Sequence, residues 1–144
     1  MLVFFGLVAV TGSHWLQRGS GSSNALLAGL VVGLPAAAVL LVNNYRDLED
    51  DLRSGRRTLA AVVGRANSRL LYAVMMLLPF ALLPLLAMRG MKGALLGLLA
   101  IPFCVHLIRR LYRTGSGPQL NLLLAGTAQA GFALGLLLSI GVLL

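Results

Sequence analysis

Five long apolar runs constrain this 144-residue chain more than any other feature of its sequence. None of them contains Lys, Arg, Asp or Glu, and a helix needs about 20 mostly apolar residues to cross a bilayer. With 58% hydrophobic and 11% charged residues, the chain is too apolar for a soluble domain of this size. We therefore predict an all-α fold, a polytopic membrane helical bundle of about five transmembrane helices that forms one domain over residues 1–144. The predicted segments are 2–16, 25–42, 70–88, 93–108 and 119–144.

The basic residues lie in the connections between these segments. The formal net charge is +8, but the charges are not interleaved with aromatic residues on one face, so we predict no nucleic-acid partner. Nine basic residues fall in the stretches 43–69 and 109–118, and three fall at the other end, namely Arg18, Arg89 and Lys92. Cytoplasmic loops carry such an excess, and basic residues there also anchor to membrane lipid. The loop 43–69 is therefore predicted to be cytoplasmic and, with five spans, so is the N-terminus.

The acidic residues form a single cluster in that loop, made up of Asp47, Glu49, Asp50 and Asp51. If the second segment continues as a helix, Asn43, Asp47 and Asp51 share one face at four-residue spacing, whereas Glu49 points away. Mg²⁺ binds carboxylate oxygens together with phosphate oxygens and water, and an amide oxygen can complete the set. We therefore predict that Asp47, Asp51 and Asn43 hold Mg²⁺.

Arginines surround the acidic cluster. Their planar, forked donors are suited to phosphate. The predicted diphosphate-binding residues are Asn43, Arg46, Arg53 and Arg57. A solvated charge run at the membrane edge is the alternative interpretation. A calcium loop of the EF-hand type fits poorly, because Leu52 and Thr58 replace the glycine and glutamate that it requires.

Other polar and aromatic residues give weaker signals. His14 and His106 have no partner at metal-site spacing, which favours a packing or interface role. Asn121 and Gln129 either face a cavity or bond to another helix. Aromatic residues near the ends of the predicted segments are typical of aromatic belts at the membrane surface; these are Trp15, Tyr72 and Tyr112.

The acidic stretch also resembles a known motif. Residues 43–51, followed by 55–59 and 64–65, resemble the second aspartate-rich motif of the UbiA superfamily of intramembrane prenyltransferases. The likeness rests on an Asn-Asn-x-Arg-Asp start, acids at the second and fourth following places, and a Gly-x-x-Thr end. Within the superfamily, the stretch most resembles the 1,4-dihydroxy-2-naphthoate prenyltransferases of menaquinone synthesis, as do residues 5–17.

The resemblance implies a fold of nine helices and an enzyme that uses Mg²⁺, a polyprenyl diphosphate and 1,4-dihydroxy-2-naphthoate. Asp47 and Asp51 would be the catalytic, metal-facing pair, in a bacterial plasma membrane. The resemblance covers only the second half of the family's fold, and the chain has one acidic cluster where the family has two. We therefore expect a fragment, a truncated gene product or one half of a split enzyme that lacks an N-terminal half and is inactive alone.

Two alternatives stay open at the level of sequence. One is a prenyltransferase of the same superfamily with another acceptor, such as 4-hydroxybenzoate, homogentisate, haem or a chlorophyllide. The other is a non-catalytic membrane scaffold whose acidic loop binds cations.

Overall fold

The computed structural model describes residues 1–115 and 117–143, so Ser116 and the predicted end of the fifth segment at Leu144 lie outside the described residues. Helical structure begins with a π-helix over Leu2–Val8 and includes a 3₁₀ helix over Lys92–Ala100. The α-helices are α1 (Ala9–Arg18), α2 (Ser23–Arg46), α3 (Leu48–Arg53), α4 (Leu59–Met88), α5 (Ile101–Arg113) and α6 (Gln119–Leu143).

Four helical stretches in the described residues are long and apolar enough to cross a membrane, namely Ser23–Arg46, Leu59–Met88, Lys92–Arg113 and Gln119–Leu143. The predicted first segment is also helical, as the π-helix followed by α1, but it is shorter than these four. Many large apolar side chains on the outside of the bundle are exposed, as lipid contact requires. The prediction of an all-α membrane bundle is confirmed.

The stretch 43–69 is mostly helical, so its description as a loop is wrong. Helix α2 continues to Arg46, α3 follows after Asp47, and α4 begins at Leu59, well before the predicted start at residue 70. The Thr58 side chain caps α4 by accepting a hydrogen bond from the backbone N–H of Ala61 at 3.4 Å. Between residues 43 and 69, the longest stretch outside the helices is the short turn between α3 and α4.

Helix α2 lies at the centre of the bundle and packs against α1, α4 and α6. Its buried face contributes Val31, Ala38 and Leu41 to the main apolar core. Tyr72 of α4 is fully buried in the same core, where its hydroxyl shares a hydrogen bond of 2.8 Å with Thr127 of α6. The assignment of Tyr72 to an aromatic belt is therefore wrong, because the earlier start of α4 places it inside the bundle. Trp15 and Tyr112 are about half exposed.

Contacts between loops and helices show which connections share an end of the bundle. The Arg65 side chain donates to the carbonyl oxygen of Gly115 at 2.7 Å, which brings the start of α4 beside the end of α5. At the other end, Arg89 donates to the Ser23 hydroxyl at 2.9 Å. Residues 43–69 and 109–118 thus lie at one end of the bundle, and Arg89 lies at the other, as the predicted orientation requires. Which end faces the cytoplasm stays a prediction.

Helix α4 is interrupted at Gly64, whose φ of 78° and ψ of 171° are not helical. Glycine adopts a positive φ without the steric cost that a side chain would bring. The buried Ser68 hydroxyl donates to the Gly64 carbonyl oxygen at 2.8 Å. At this break, the Gly64 carbonyl oxygen therefore has a side-chain hydrogen-bond partner, the Ser68 hydroxyl.

Close backbone contact joins α6 to the 3₁₀ helix. A Cβ added at Gly141 would collide with the backbone of Gly93, and the reverse also holds, whereas a Cβ at Gly135 of the same helix would meet open space. Small residues allow such approach between membrane helices, whose association depends on van der Waals packing.

We expect Gly141→Ala to destabilise the bundle by about 1–3 kcal/mol, because the added methyl group forces the two backbones apart. Thermal unfolding in detergent micelles, followed by circular dichroism, measures this change. Gly135→Ala is the matched control and should leave the unfolding temperature unchanged or slightly higher. Equal destabilisation by both substitutions would contradict the close contact.

Candidate functional site

The joint between α2 and α3 preserves helical register. The Asp47 backbone N–H donates to the Asn43 carbonyl oxygen at 3.1 Å, and the Asp51 N–H donates to the Asp47 carbonyl oxygen at 2.9 Å. The three residues therefore follow one another at intervals of one turn, although α2 ends at Arg46. This is the spacing on which the predicted metal site depends.

Arg46 connects three of the polar residues at this joint. Its Nε and Nη2 atoms donate to the two carboxylate oxygens of Asp47 at 2.7 and 2.9 Å, a bidentate pair. Nη2 also donates to Asn43 Oδ1 at 3.1 Å, and Nη1 donates to Asn121 Oδ1 at 2.8 Å. Of the two possibilities predicted for Asn121, the bond to another helix is therefore observed.

The guanidinium of Arg46 lowers the pKa of the Asp47 carboxyl, first through its hydrogen bonds and further through its positive charge, while partial burial opposes the shift. Asp47 is therefore an anion throughout the neutral range. Because the pKa is lower in the folded state, the pair stabilises the fold above the ordinary aspartate pKa. That contribution disappears as the pH falls through the lowered value.

Asp51 differs from Asp47 in being buried, with only 6% of its surface exposed. Its Oδ1 atom lies 4.0 Å from Nη1 of Arg56, whose side chain is largely exposed. A buried carboxylate with one distant ion pair keeps lone pairs available for other ligands.

The remaining predicted site residues lie further out. Arg53 has only a loose ion pair, at 3.8 Å, with exposed Asp50. Arg57 is exposed and, within residues 1–115 and 117–143, has no ion pair or side-chain hydrogen bond. Glu49 accepts a hydrogen bond from Arg65 at 3.0 Å. The structure therefore places Asn43, Asp47 and Asp51 in one register and bonds Arg46 to Asn43 and Asp47. It leaves Arg53 and Arg57 at the surface.

An arginine and tyrosine cluster that the sequence reasoning missed supports this joint. Arg69 Nε donates to the Tyr45 hydroxyl at 2.9 Å, and Arg65 lies over the Tyr45 ring at 5.1 Å. Arg69 also lies 6.0 Å from the Tyr112 ring. The four-residue spacing of Arg65 and Arg69 indicates that both side chains share one face if this stretch is helical. The prediction of a loop for residues 43–69 does not allow that inference.

The donor set at the joint suits a hard cation. Two carboxylates and one amide supply oxygen ligands, and Asp47 keeps acceptor capacity beyond its two bonds to Arg46. In the part of the chain that the structure describes, no group of three or more His, Cys, Asp or Glu residues is placed to hold a metal ion. A cation here would therefore need further ligands from a substrate, water or other protein segments.

The fold and this joint define an integral membrane helical protein with an asparagine, aspartate and arginine cluster at one end of its bundle. Comparison with known families identifies a match: the model of the UbiA prenyltransferase family matches residues 1–121. The chain therefore belongs to the UbiA prenyltransferase family, and the resemblance seen in the sequence is confirmed.

Three curated relatives illustrate the similarity. The chain is 35% identical over 144 residues to UbiA prenyltransferase domain-containing protein 1 of Gallus gallus, covering 100% of this chain and 42% of that protein. It is 33% identical over 148 residues to the 1,4-dihydroxy-2-naphthoate octaprenyltransferase of Haemophilus influenzae, and 33% identical over 147 residues to that of Escherichia coli. Each of these two matches covers 100% of this chain and 47% of the relative. The chain thus spans less than half the length of these relatives.

We expect Arg46→Gln to raise the pKa of Asp47 toward its ordinary value, because the substitution removes the bidentate hydrogen bonds and the positive charge. Titration of ¹³C-labelled aspartate carboxyl groups by NMR in detergent micelles measures this shift. Arg53→Gln removes the same charge next to Asp50 and is the control, which should leave the Asp47 titration unchanged. An unchanged Asp47 pKa in Arg46→Gln would contradict the assigned pairing.

Proposed function

We propose that the chain supplies one side of the diphosphate site of a prenyltransferase that transfers a polyprenyl group from its diphosphate to 1,4-dihydroxy-2-naphthoate in menaquinone biosynthesis. The observation that carries this proposal is the hydrogen-bonded Asn43, Arg46 and Asp47 cluster, with Asp51 one turn further along, in a chain of the UbiA family. A scaffold without catalytic function would not need donors and acceptors for phosphate and metal in one register.

The metal in this proposal is Mg²⁺, and Asp47, Asp51 and Asn43 would hold it. All three offer the hard oxygen ligands that the ion prefers. When bound, Mg²⁺ supplies charge neutralisation that makes the diphosphate a better leaving group. Asp47 is suited to this role because Arg46 keeps it ionised.

The arginines would bind and steady the diphosphate. Arg46 is held in position by Asp47 and Asn121, so its guanidinium is oriented before a substrate arrives. Arg53 and Arg57 are exposed and lack strong partners, which leaves their donors available to phosphate oxygens. Fixed positive charge next to the departing diphosphate stabilises the charge that develops as the allylic C–O bond breaks. The apolar surfaces of the membrane helices would accommodate the isoprenoid tail.

The acceptor is the finer part of the proposal. It is supported by the motif and by the relatives from Haemophilus influenzae and Escherichia coli, whose names specify 1,4-dihydroxy-2-naphthoate. The test is competition in membranes that contain the chain together with any upstream helices that its gene encodes. We expect 1,4-dihydroxy-2-naphthoate to be prenylated in preference to equimolar 4-hydroxybenzoate. The reverse preference would contradict the proposed acceptor and indicate a family member that uses 4-hydroxybenzoate.

We expect Asp47→Asn and Asp51→Asn each to lower prenyl transfer at least about 100-fold in those membranes, because each removes a charged metal ligand. Radiolabelled prenyl diphosphate measures the product. Asp50→Asn is the matched control, since Asp50 is exposed and has only the loose pair with Arg53, and it should retain most of the activity. Full activity in both Asp47→Asn and Asp51→Asn would overturn the site.

The 144-residue chain alone should be inactive, because a two-sided metal and diphosphate site needs ligands beyond Asn43, Asp47 and Asp51. The purified chain, incubated with Mg²⁺, a prenyl diphosphate and 1,4-dihydroxy-2-naphthoate, tests this expectation. Prenylated product from the purified chain would show that these residues suffice.

A further inference from the structure

A basic stripe runs along one face of α5. We define it as His106, Arg109, Arg110 and Arg113, which recur at the i, i+3, i+4, i+7 spacing of a single helical face. Cys104, Leu107 and Leu111 are buried, and their positions lie on the opposite face of the same helix. The basic stripe therefore points away from the protein core.

The charge of the basic stripe is not compensated within the described residues. All four acidic residues lie in the cluster between α2 and α4, where each is paired with Arg46, Arg53, Arg56 or Arg65. Within residues 1–115 and 117–143, the three arginines of the stripe form no ion pair and no side-chain hydrogen bond. Three guanidinium groups on one helical face repel one another, so an anion bound among them would lower that repulsion.

The basic stripe lines a cavity of about 500 Å³ at the end of the bundle, together with Thr114 and Gln119. Gln119 and Asn121 are two residues apart in α6, so they lie on nearly opposite sides of that helix. Gln119 therefore lies on the side of α6 away from the bond between Asn121 and Arg46. None of the residues that line the cavity is among those proposed to bind the diphosphate.

The position of the cavity along the membrane normal fits lipid headgroups. Arg113 ends the spanning stretch Lys92–Arg113, and Arg109 lies one turn before it. One turn rises about 5.4 Å. The headgroup layer of each leaflet is roughly 5–8 Å deep. When this stretch spans a bilayer, its terminal guanidinium groups reach the depth where phosphate groups are found.

We propose that the basic stripe and the adjoining cavity form a binding site for the phosphate headgroup of an anionic phospholipid. The arginines donate to the phosphodiester oxygens, and the Thr114 hydroxyl and Gln119 amide lie within the same cavity to contact the polar part of the headgroup. The acyl chains extend along the apolar surface of the bundle. The proposal rests on α5 and its surroundings alone and does not depend on the prenyltransferase activity.

Native mass spectrometry of the full chain, purified in detergent and titrated with defined lipids, tests this site. We expect phosphatidylglycerol to bind more tightly than phosphatidylcholine of the same acyl chains. The R109Q/R113Q variant should bind phosphatidylglycerol about 30-fold more weakly, since each basic residue near an anionic lipid contributes about a factor of five. The R18Q/K92Q variant removes the same charge at the other end of the bundle and should bind it normally.

Three outcomes would overturn the proposal: equal affinity for the two lipids, equal losses in both variants, or unchanged binding in R109Q/R113Q. Circular dichroism of the variants separates a loss of binding from a loss of fold. Inorganic pyrophosphate and geranyl diphosphate are added as competitors. Displacement of phosphatidylglycerol by either would assign the cavity to a soluble phosphate or to the prenyl donor rather than to lipid, whereas no displacement supports the lipid site.

Discussion

The pairing of Arg46 with Asp47 is the interaction on which the rest of the acidic end depends. The bidentate geometry pairs two charges whose side chains are 34% and 38% exposed. The same guanidinium bonds to Asn121 and so joins the end of the central helix α2 to the first turns of α6. The position of the acidic residues is thereby coupled to the packing of the bundle rather than to a flexible connection.

A second set of contacts fixes the same region from the side of α4. Tyr45 is buried next to Arg65 and Arg69, and Arg65 also binds Glu49. These contacts explain why a polar stretch can fold as a helix next to the membrane, because each arginine has an aromatic face or an anion beside it. Substitutions at Tyr45 would therefore act on the acidic joint without contacting a substrate.

The sequence predicts the membrane class and the register of Asn43, Asp47 and Asp51, because apolar runs and four-residue spacing depend only on local periodicity. It does not predict the start of α4, since the partners of Arg65 and Arg69 are far away in the chain. The burial of Tyr72 has the same cause: its partner Thr127 lies in another helix. Arg57 lies in the turn after α3, which a simple helical wheel does not include.

The interruption at Gly64 has a geometric consequence for how the bundle sits in a bilayer. A straight helix of 30 residues would measure about 45 Å, much longer than the hydrocarbon thickness of roughly 30 Å. The break leaves residues 65–88 as a helical segment of about 36 Å, which a tilt of about 35° would fit into that thickness. The part of α4 before Gly64 does not continue the axis of that segment. One glycine thus separates the direction of the first residues of α4, next to the acidic end, from the direction of its long apolar part.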